Sequence, residues 1–337
     1  MSVFSTPPPR YSTFEAEQLA KSKFGINGQA NPLSSERDQN FLIQSERESF
    51  VLKISNSAES FDELDMQNKV MQHIVKVDPE FELTLPLCSL NGDEIIQIAN
   101  KGQTNWVRGL KYIDGKFLKD LKHDHLILLE LGSFLGRLDN AMKDFNHPAA
   151  KRTFPWDVRY TDFLKLHKNH VNKDRGIINY YLSKYETHVL PNESYLRKTV
   201  IHNDGNDHNV LLDQNGKTTG IIDFGDMVYS YIVLEPAVCM AYIALAIEKT
   251  DTLEFISQIL KGYHQAFHLN EYELNSVIFL MCLRLCITIT MAAYRKKLFP
   301  ENAYLSVSEN QAWELLNRMK NEDLNDWSRQ LTEYAQS

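Results

Sequence analysis

The sequence lacks the patterns that mark zinc-binding, secreted and nucleic-acid-binding proteins. Its four cysteines form no CxxC pair and no spacing typical of a zinc site, and Cys282 and Cys286 share one predicted helix face as small apolar residues. The formal net charge is −8 and no lysine or arginine cluster stands out, which argues against a nucleic-acid partner or an anionic membrane surface. Met1 to Arg10 contain no apolar signal region, so we expect a cytoplasmic protein.

One apolar run is long enough to raise the question of a membrane helix. Val277 to Tyr294 is almost continuously apolar. Arg284 lies at its centre, and an arginine in the middle of a bilayer is energetically costly. The run therefore predicts a buried helix in a large helical region, and no membrane partner.

The remaining composition is ordinary for a globular protein of one large domain or two lobes. The 337 residues are 43% hydrophobic and 24% charged. Phe41 to Ile43, Phe50 to Ile54 and Trp106 to Ile113 are β-prone runs in the first part of the chain. From Leu118 onward helical spacing dominates apart from one hairpin, and Tyr304 to Met319 is expected to be the final helix.

The most informative stretch runs from Ile201 to Asp226 and contains the predicted hairpin. Val210 to Leu212 and Gly220 to Ile222 are short apolar runs that flank an Asn-Gly pair, which tolerates the positive φ angles of a tight turn. Antiparallel pairing would place Asn209 and Asp223 opposite or nearly opposite each other, with Cβ atoms about 5 Å apart.

The open end of this hairpin is a predicted metal site. An amide oxygen and a carboxylate suit a hard cation such as Mg²⁺, whose other positions go to phosphate and water. Asp204 lies on the loop that enters the hairpin, where it could orient a substrate hydroxyl and accept its proton. The alternative is a polar loop before an ordinary hairpin, with Asp223 as a turn residue.

The motif His202-x-Asp204-x-x-x-x-Asn209, followed by Asp223-Phe224-Gly225, resembles the catalytic loop and metal motif of the protein-kinase-like superfamily. Protein kinases usually carry a lysine two residues after the aspartate; this chain has Asn206 there, and it has no Ala-Pro-Glu segment. It is therefore more similar to the aminoglycoside phosphotransferase and choline-kinase-like family of small-molecule kinases. The similar segments span nearly the whole chain: 51–56, 202–209, 223–227 and 284–285.

The resemblance implies an α+β, two-lobed protein-kinase-like fold. Residues 1–112 would form a small antiparallel β lobe that binds the nucleotide, and residues 113–337 a larger helical lobe for catalysis and substrate. The implied reaction moves the γ-phosphate of ATP or GTP to a hydroxyl of a small amine or amino acid, most like 5-hydroxylysine. Homoserine, choline, ethanolamine or an aminoglycoside are alternative acceptors. A nucleotide-binding pseudokinase that acts as an interaction module is the alternative from another class.

The resemblance also assigns roles to matching residues. It implies that Lys53 holds the α- and β-phosphates and that Asp204 is the catalytic base. Asn209 and Asp223 would bind Mg²⁺, and His202 would brace the loop.

The acidic partner of Lys53 is expected on the helix predicted from Ser57 to Val75. Asp65 matches the position where the resembling family usually has a glutamate, and Glu63 and Asp62 remain alternatives. The missing glycine-rich loop and this shorter side chain are the features that motivate the pseudokinase alternative.

The loop at 32–40 contains no G-x-G-x-x-G pattern. The hydroxyls of Ser34 and Ser35, with backbone N–H groups, could still contact phosphate. Nucleotide affinity does not follow from this loop alone.

Three further residues are candidates for substrate contact. Asp157 could face a substrate amine, and Glu235, on a largely apolar segment, could meet a substrate ammonium. Arg284 could bind a substrate carboxylate or pair with Glu235, and we favour the pairing.

Overall fold

The structure, a computed structural model, describes residues 2–46, 48–100, 102–171, 175–213, 217–247, 252–301 and 308–337. The chain divides into two compact units, Met1–Asp114 and Gly115–Ser337. An antiparallel sheet dominates the first unit and helices dominate the second, so the predicted α+β class is confirmed.

The first unit opens with a helix and continues as a meandering sheet. The helix α1 (Thr13–Leu19) begins with a capping box at Ser12 and continues as a π-helical turn to Phe24. The following elements are β1 (Gln29–Leu33), β2 (Gln39–Gln44), β3 (Ser49–Ile54), α2 (Phe61–Val77), β4 (Glu82–Leu83), β5 (Pro86–Leu87), β6 (Ile96–Asn100) and β7 (Gln103–Lys111).

The six-stranded sheet of the first unit has the order β1-β2-β3-β7-β5, with β6 also paired to β7. Alternate side chains of β3, namely Phe50, Leu52 and Ile54, enter the apolar core. Lys53 faces the other way, with Asn40 of β2 and Arg108 of β7 as its cross-strand neighbours. The register therefore places Lys53 on a central strand of the sheet.

The second unit combines short strands with long helices. In chain order its elements are β8 (Lys116–Phe117), α3 (His125–Met142), α4 (Asp162–His167), α5 (Gly176–His188), β9 (Lys198–Ile201), β10 (Val210–Leu212), β11 (Thr218–Ile221), β12 (Val228–Tyr231), α6 (Leu234–Ala246), α7 (Thr252–Ala266), α8 (Glu271–Leu298), α9 (Glu309–Met319) and α10 (Leu324–Gln336). Strand β10 pairs with β8 and β11, and β12 pairs with β9.

Two expectations for the second unit were wrong. The helix that ends at Met319 is followed by another, α10, which begins after the N-cap Asp323 and is therefore the final helix. The pairing of β9 with β12 was also missed, because four-residue strands carry too little periodicity to be distinguished from their surroundings. Of the predicted segment from Tyr304, residues 304–307 lie outside the described residues.

The long apolar run forms the core of the second unit. It lies within α8, and 94% of the most apolar 18-residue window of this helix is buried. The helix is long and apolar enough to cross a membrane, a test that core helices of soluble proteins also pass. The predicted buried helix is confirmed.

Helices α3 and α7 pack with their backbones in direct contact. A Cβ atom on Gly132 would lie 2.0 Å from the carbonyl oxygen of Ile259, and one on Gly262 would lie 1.9 Å from that of Leu129. Both distances are far below van der Waals contact, so only glycine fits at either position.

We expect the change Gly132→Ala to destabilise the protein by about 3 kcal/mol, because the added methyl group must separate two packed helices. Gly92→Ala is the control, because a Cβ there meets nothing within 4 Å and only the positive φ of 89° disfavours alanine. We expect this variant to lose about 1 kcal/mol of stability. Urea denaturation of both variants measures the difference. Equal losses would contradict the close packing of α3 and α7.

Candidate active site

The predicted hairpin is formed by β10 and β11. Val210 lies opposite Ile221, and the N–H of Ile222 donates to the carbonyl oxygen of Asn209 at 2.9 Å. Asn209 is therefore opposite the residue before Asp223, which agrees with the prediction that the two are nearly opposite. A register shift between Leu211 and Leu212 brings Asn209 one residue closer to Asp223 than the pairing at the turn end would place it. The Asn-Gly turn at 214–216 lies outside the described residues.

The carboxylate of Asp204 is oriented by two amides. The side-chain N–H₂ of Asn209 donates to its Oδ2 at 2.7 Å, and that of Asn206 donates to its Oδ1 at 2.8 Å. Asn206, which replaces the usual lysine, thus supplies a neutral donor that sequence reasoning did not assign. Because the Asn209 nitrogen is turned toward Asp204, its Oδ1 is the atom left to ligate a cation.

Asp204 lies in an electrostatically negative environment. The pKa of this carboxyl group is raised to about 8, chiefly by burial and then by the nearby carboxylates of Asp226 and Asp223, while Arg284 acts in the opposite direction. The side chain nevertheless remains 22% exposed, so the carboxylate is accessible at the surface of its unit.

The backbone is strained at two positions of this site, one within the loop and one just after β11. Asn203 and Asp223 have φ angles of 63° and 62°, in the left-handed region that non-glycine residues rarely adopt. Such conformations persist where the surroundings hold them, and they concentrate at functional sites. The side chain of Asp223 is exposed at the end of the hairpin.

His202 joins the loop to the hairpin. Its ring is fully buried, lies edge-on to Phe224 with centroids 4.7 Å apart, and places Nε2 3.1 Å from the carbonyl oxygen of Ile222. Burial lowers the pKa of His202 to about 4, so the imidazole is neutral at pH 7 and Nε2 is assigned as the donor. These contacts agree with a bracing role.

Glu235 contacts the loop that carries Asp204. It is fully buried in the first turn of α6, and its Oε2 accepts the backbone N–H of Asn203 at 2.7 Å. A Cβ atom on Gly205 would lie 2.6 Å from Oε1, so the loop backbone passes directly over this carboxyl group. Burial raises the pKa of Glu235 to about 7. The geometry favours a role in holding the strained loop over the predicted substrate contact.

Arg284 is brought beside Asp204 by α8. Its Nη2 lies 3.7 Å from Oδ1 of Asp204, and its Nη1 donates to the carbonyl oxygen of Trp156 at 2.7 Å. The guanidinium stacks on the Trp156 ring at 4.5 Å and lies 5.7 Å from the ring of Tyr242. The ion-pair partner is thus Asp204, where we had expected Glu235.

Asp157 belongs to a buried network of its own. Its Oδ2 pairs with Arg159 at 2.6 Å, and its Oδ1 accepts the hydroxyl of Ser230 at 2.7 Å. The side chain has no exposed surface. These contacts favour a structural role over the predicted contact with a substrate amine.

In the first unit, Lys53 forms an ion pair that the sequence did not suggest. Its Nζ lies 3.3 Å from Oδ2 of Asp38, at the end of the loop between β1 and β2. Asp65 forms an ion pair with Lys69 at 2.6 Å, and its pairing with Lys53 stays a prediction. Ser34 and Ser35 are exposed in the same loop as Asp38.

The candidate metal ligands remain Asn209 and Asp223. Among the residues that the structure describes, no group of three or more histidine, cysteine, aspartate or glutamate side chains could hold a metal. An amide oxygen and one carboxylate fit a hard cation that takes its remaining ligands from phosphate and water.

The chain is similar to known phosphotransferases and small-molecule kinases. Residues 29–274 match APH, the Phosphotransferase enzyme family. A hydroxylysine kinase of Mus musculus is 29% identical over 342 residues, which cover 92% of this chain and 90% of that protein. One of Xenopus laevis is 30% identical over 346 residues, which cover 94% and 91%. The solved structure of an amicoumacin kinase in complex with AMP-PNP and Ca²⁺ has a TM-score of 0.74, at 18% identity, over 94% of this chain and 97% of that chain.

The matched region contains the entire stretch from Ile201 to Asp226. The expected family and the expected enzyme class are therefore confirmed. This chain belongs to the phosphotransferase enzyme family and is a small-molecule kinase that transfers a phosphoryl group to a hydroxyl acceptor.

Proposed function

We propose that this kinase phosphorylates the hydroxyl of a small amine or amino acid, most like 5-hydroxylysine, with ATP or GTP as donor and Mg²⁺ as metal. The observation that carries the reaction is the Asp204 carboxylate, oriented by Asn206 and Asn209 beside the guanidinium of Arg284. The acceptor is supported by the relatives, hydroxylysine kinases 27% to 30% identical over more than nine-tenths of this chain.

Asp204 orients the acceptor hydroxyl and takes its proton as the phosphoryl group is transferred. A carboxylate with a raised pKa is a stronger proton acceptor once ionised, and Arg284 stabilises the ionised form. The two amides restrict the carboxylate to one orientation, which favours a single approach of the hydroxyl.

Asn209 and Asp223 would hold Mg²⁺, which when bound would neutralise charge on the phosphates. Lys53 binds the α- and β-phosphates from the first unit. Asn209 has a double function in this proposal, because its nitrogen orients Asp204 and its oxygen ligates the metal.

We expect Asp204→Asn to lower kcat by about 10²- to 10⁴-fold, because the amide cannot accept the proton. The assay offers Mg-ATP and, separately, Mg-GTP with 5-hydroxylysine, homoserine, choline, ethanolamine and kanamycin. Nucleotide-induced thermal stabilisation should be unchanged in the variant. Wild-type turnover by Asp204→Asn would exclude Asp204 as the base, and turnover of another acceptor alone would replace 5-hydroxylysine as the substrate.

Asp223→Asn should raise the Mg²⁺ concentration needed for half-maximal activity by about tenfold or more, because an amide is a weaker ligand than a carboxylate. The control is Asp213→Asn at the turn end of the same hairpin, where Asp213 accepts the N–H of Lys217. Titration of activity with Mg²⁺ at saturating nucleotide compares the two variants. Identical metal dependence in both would remove Asp223 from the metal site.

Arg284→Met should lower kcat by about 100-fold for every acceptor, because Asp204 loses its cationic neighbour. Arg284→Lys should restore part of the loss. Steady-state kinetics with 5-hydroxylysine and with ethanolamine, which has no carboxylate, give the measurement. A rise in KM confined to 5-hydroxylysine would instead assign Arg284 to the acceptor carboxylate.

A further inference from the structure

The ion pair between Lys53 and Asp38 is well shielded from water. The two side chains are only 11% and 15% exposed, whereas Lys69 and Asp65 are 55% and 24% exposed. An ion pair is screened less when its partners are withdrawn from solvent, so Asp38 constrains Lys53 more strongly than a surface partner would.

Sheet register explains why Asp38 reaches Lys53. Asn40 lies directly opposite Lys53, and side chains two residues apart on a strand share one face. Asp38, two residues before Asn40, is therefore the diagonal neighbour of Lys53 on the same face. The pairing follows from the register of β2 and β3, which the sequence alone did not supply.

Asp38 is itself held by a hydrogen-bond network around the buried Asn56. Its Oδ1 accepts the backbone N–H of Asn56, which lies two residues after β3 and is fully buried. The side-chain amide of Asn56 donates to the carbonyl oxygens of Arg37 and Thr6, each at 3.2 Å, and its Oδ1 accepts the N–H of Ala58 at 3.0 Å. The loop end that carries Asp38 is thus tied to the N-terminal segment and to the end of β3.

We propose that Asp38 is a positioning residue of this kinase, which holds the ammonium of Lys53 in place for the nucleotide phosphates. The inference rests on the proposed role of Lys53 and adds a residue that the comparison by motif did not assign. Glycine lets a loop backbone approach a ligand closely, whereas a loop without the glycine-rich pattern contacts its neighbours mainly through side chains. Here the loop between β1 and β2 contributes a carboxylate that orients the neighbouring strand.

The test compares four single variants. Asp38→Asn removes the charge but keeps an oxygen for the N–H of Asn56. Lys53→Met reports whether Lys53 acts on the nucleotide at all, and Asp65→Asn reports on the partner suggested by the sequence. Asp93→Asn, at an exposed carboxylate in the same unit, is the matched control for the loss of one negative charge.

We expect Asp38→Asn to raise KM for the nucleotide by about tenfold, the effect of losing a charge-assisted contact. KM for the acceptor and the thermal unfolding midpoint should stay at the wild-type values, and Asp93→Asn should match the wild type. A rescue variant that combines Asp38→Asn with Asn40→Asp moves the carboxylate to the position directly opposite Lys53. It should lower the nucleotide KM again, which a merely structural role of Asp38 would not produce.

Two results would overturn the inference and are distinguishable. If Lys53→Met is inactive but Asp38→Asn keeps the wild-type KM for the nucleotide, Asp38 does not position Lys53. If Asp38→Asn fails to fold, the same conclusion follows when the rescue variant shows no change in nucleotide KM attributable to the carboxylate. If Lys53→Met binds and turns over nucleotide normally, the proposed role of Lys53 fails and the role of Asp38 fails with it.

Discussion

The loop that carries Asp204 depends on a backbone conformation that its residues disfavour. Asn203 within this loop and Asp223 just after β11 are non-glycine residues in the left-handed region, which costs about 1–3 kcal/mol each. The buried carboxylate of Glu235 accepts the N–H of Asn203, and the side chain of Asn203 donates to the carbonyl oxygen of Asp226 at 3.2 Å. Helix α6, the loop and the end of the hairpin therefore form one strained assembly, and the position of Asp204 follows from it.

Charge is the second constraint on this site. Besides burial, the carboxylates of Asp226 and Asp223 raise the pKa of Asp204, and a kinase reaction brings further negative charge on the phosphates. Arg284 opposes this repulsion. Burial lowers the pKa of its guanidinium, but the neighbouring Tyr242, Asp204 and Asp226 outweigh burial, so that the pKa is raised overall. A proposed divalent cation at Asn209 and Asp223 would act in the same direction.

The two cationic side chains with proposed roles, one in each unit, are held by groups that do not themselves react. Arg284 is fixed by the carbonyl oxygen of Trp156 and by stacking on its ring. Lys53 is paired with Asp38, which the backbone of Asn56 orients. Long cationic side chains lose considerable rotamer freedom when they become ordered. Because these contacts order Lys53 and Arg284 before nucleotide or substrate binds, less conformational entropy is lost on binding.

The sequence by itself determined the features that depend on local spacing. The strands around Lys53, the hairpin that joins Asn209 to Asp223, and the buried helix around Arg284 all follow from residue periodicity and turn chemistry within short segments. Periodicity reports which face of an element is buried, but not which residue lies against it. The pairing of Arg284 with Asp204, the hold of Glu235 on Asn203 and the approach of Asp38 to Lys53 were decided only by the tertiary structure, because each depends on strand register or helix packing between segments distant in the chain.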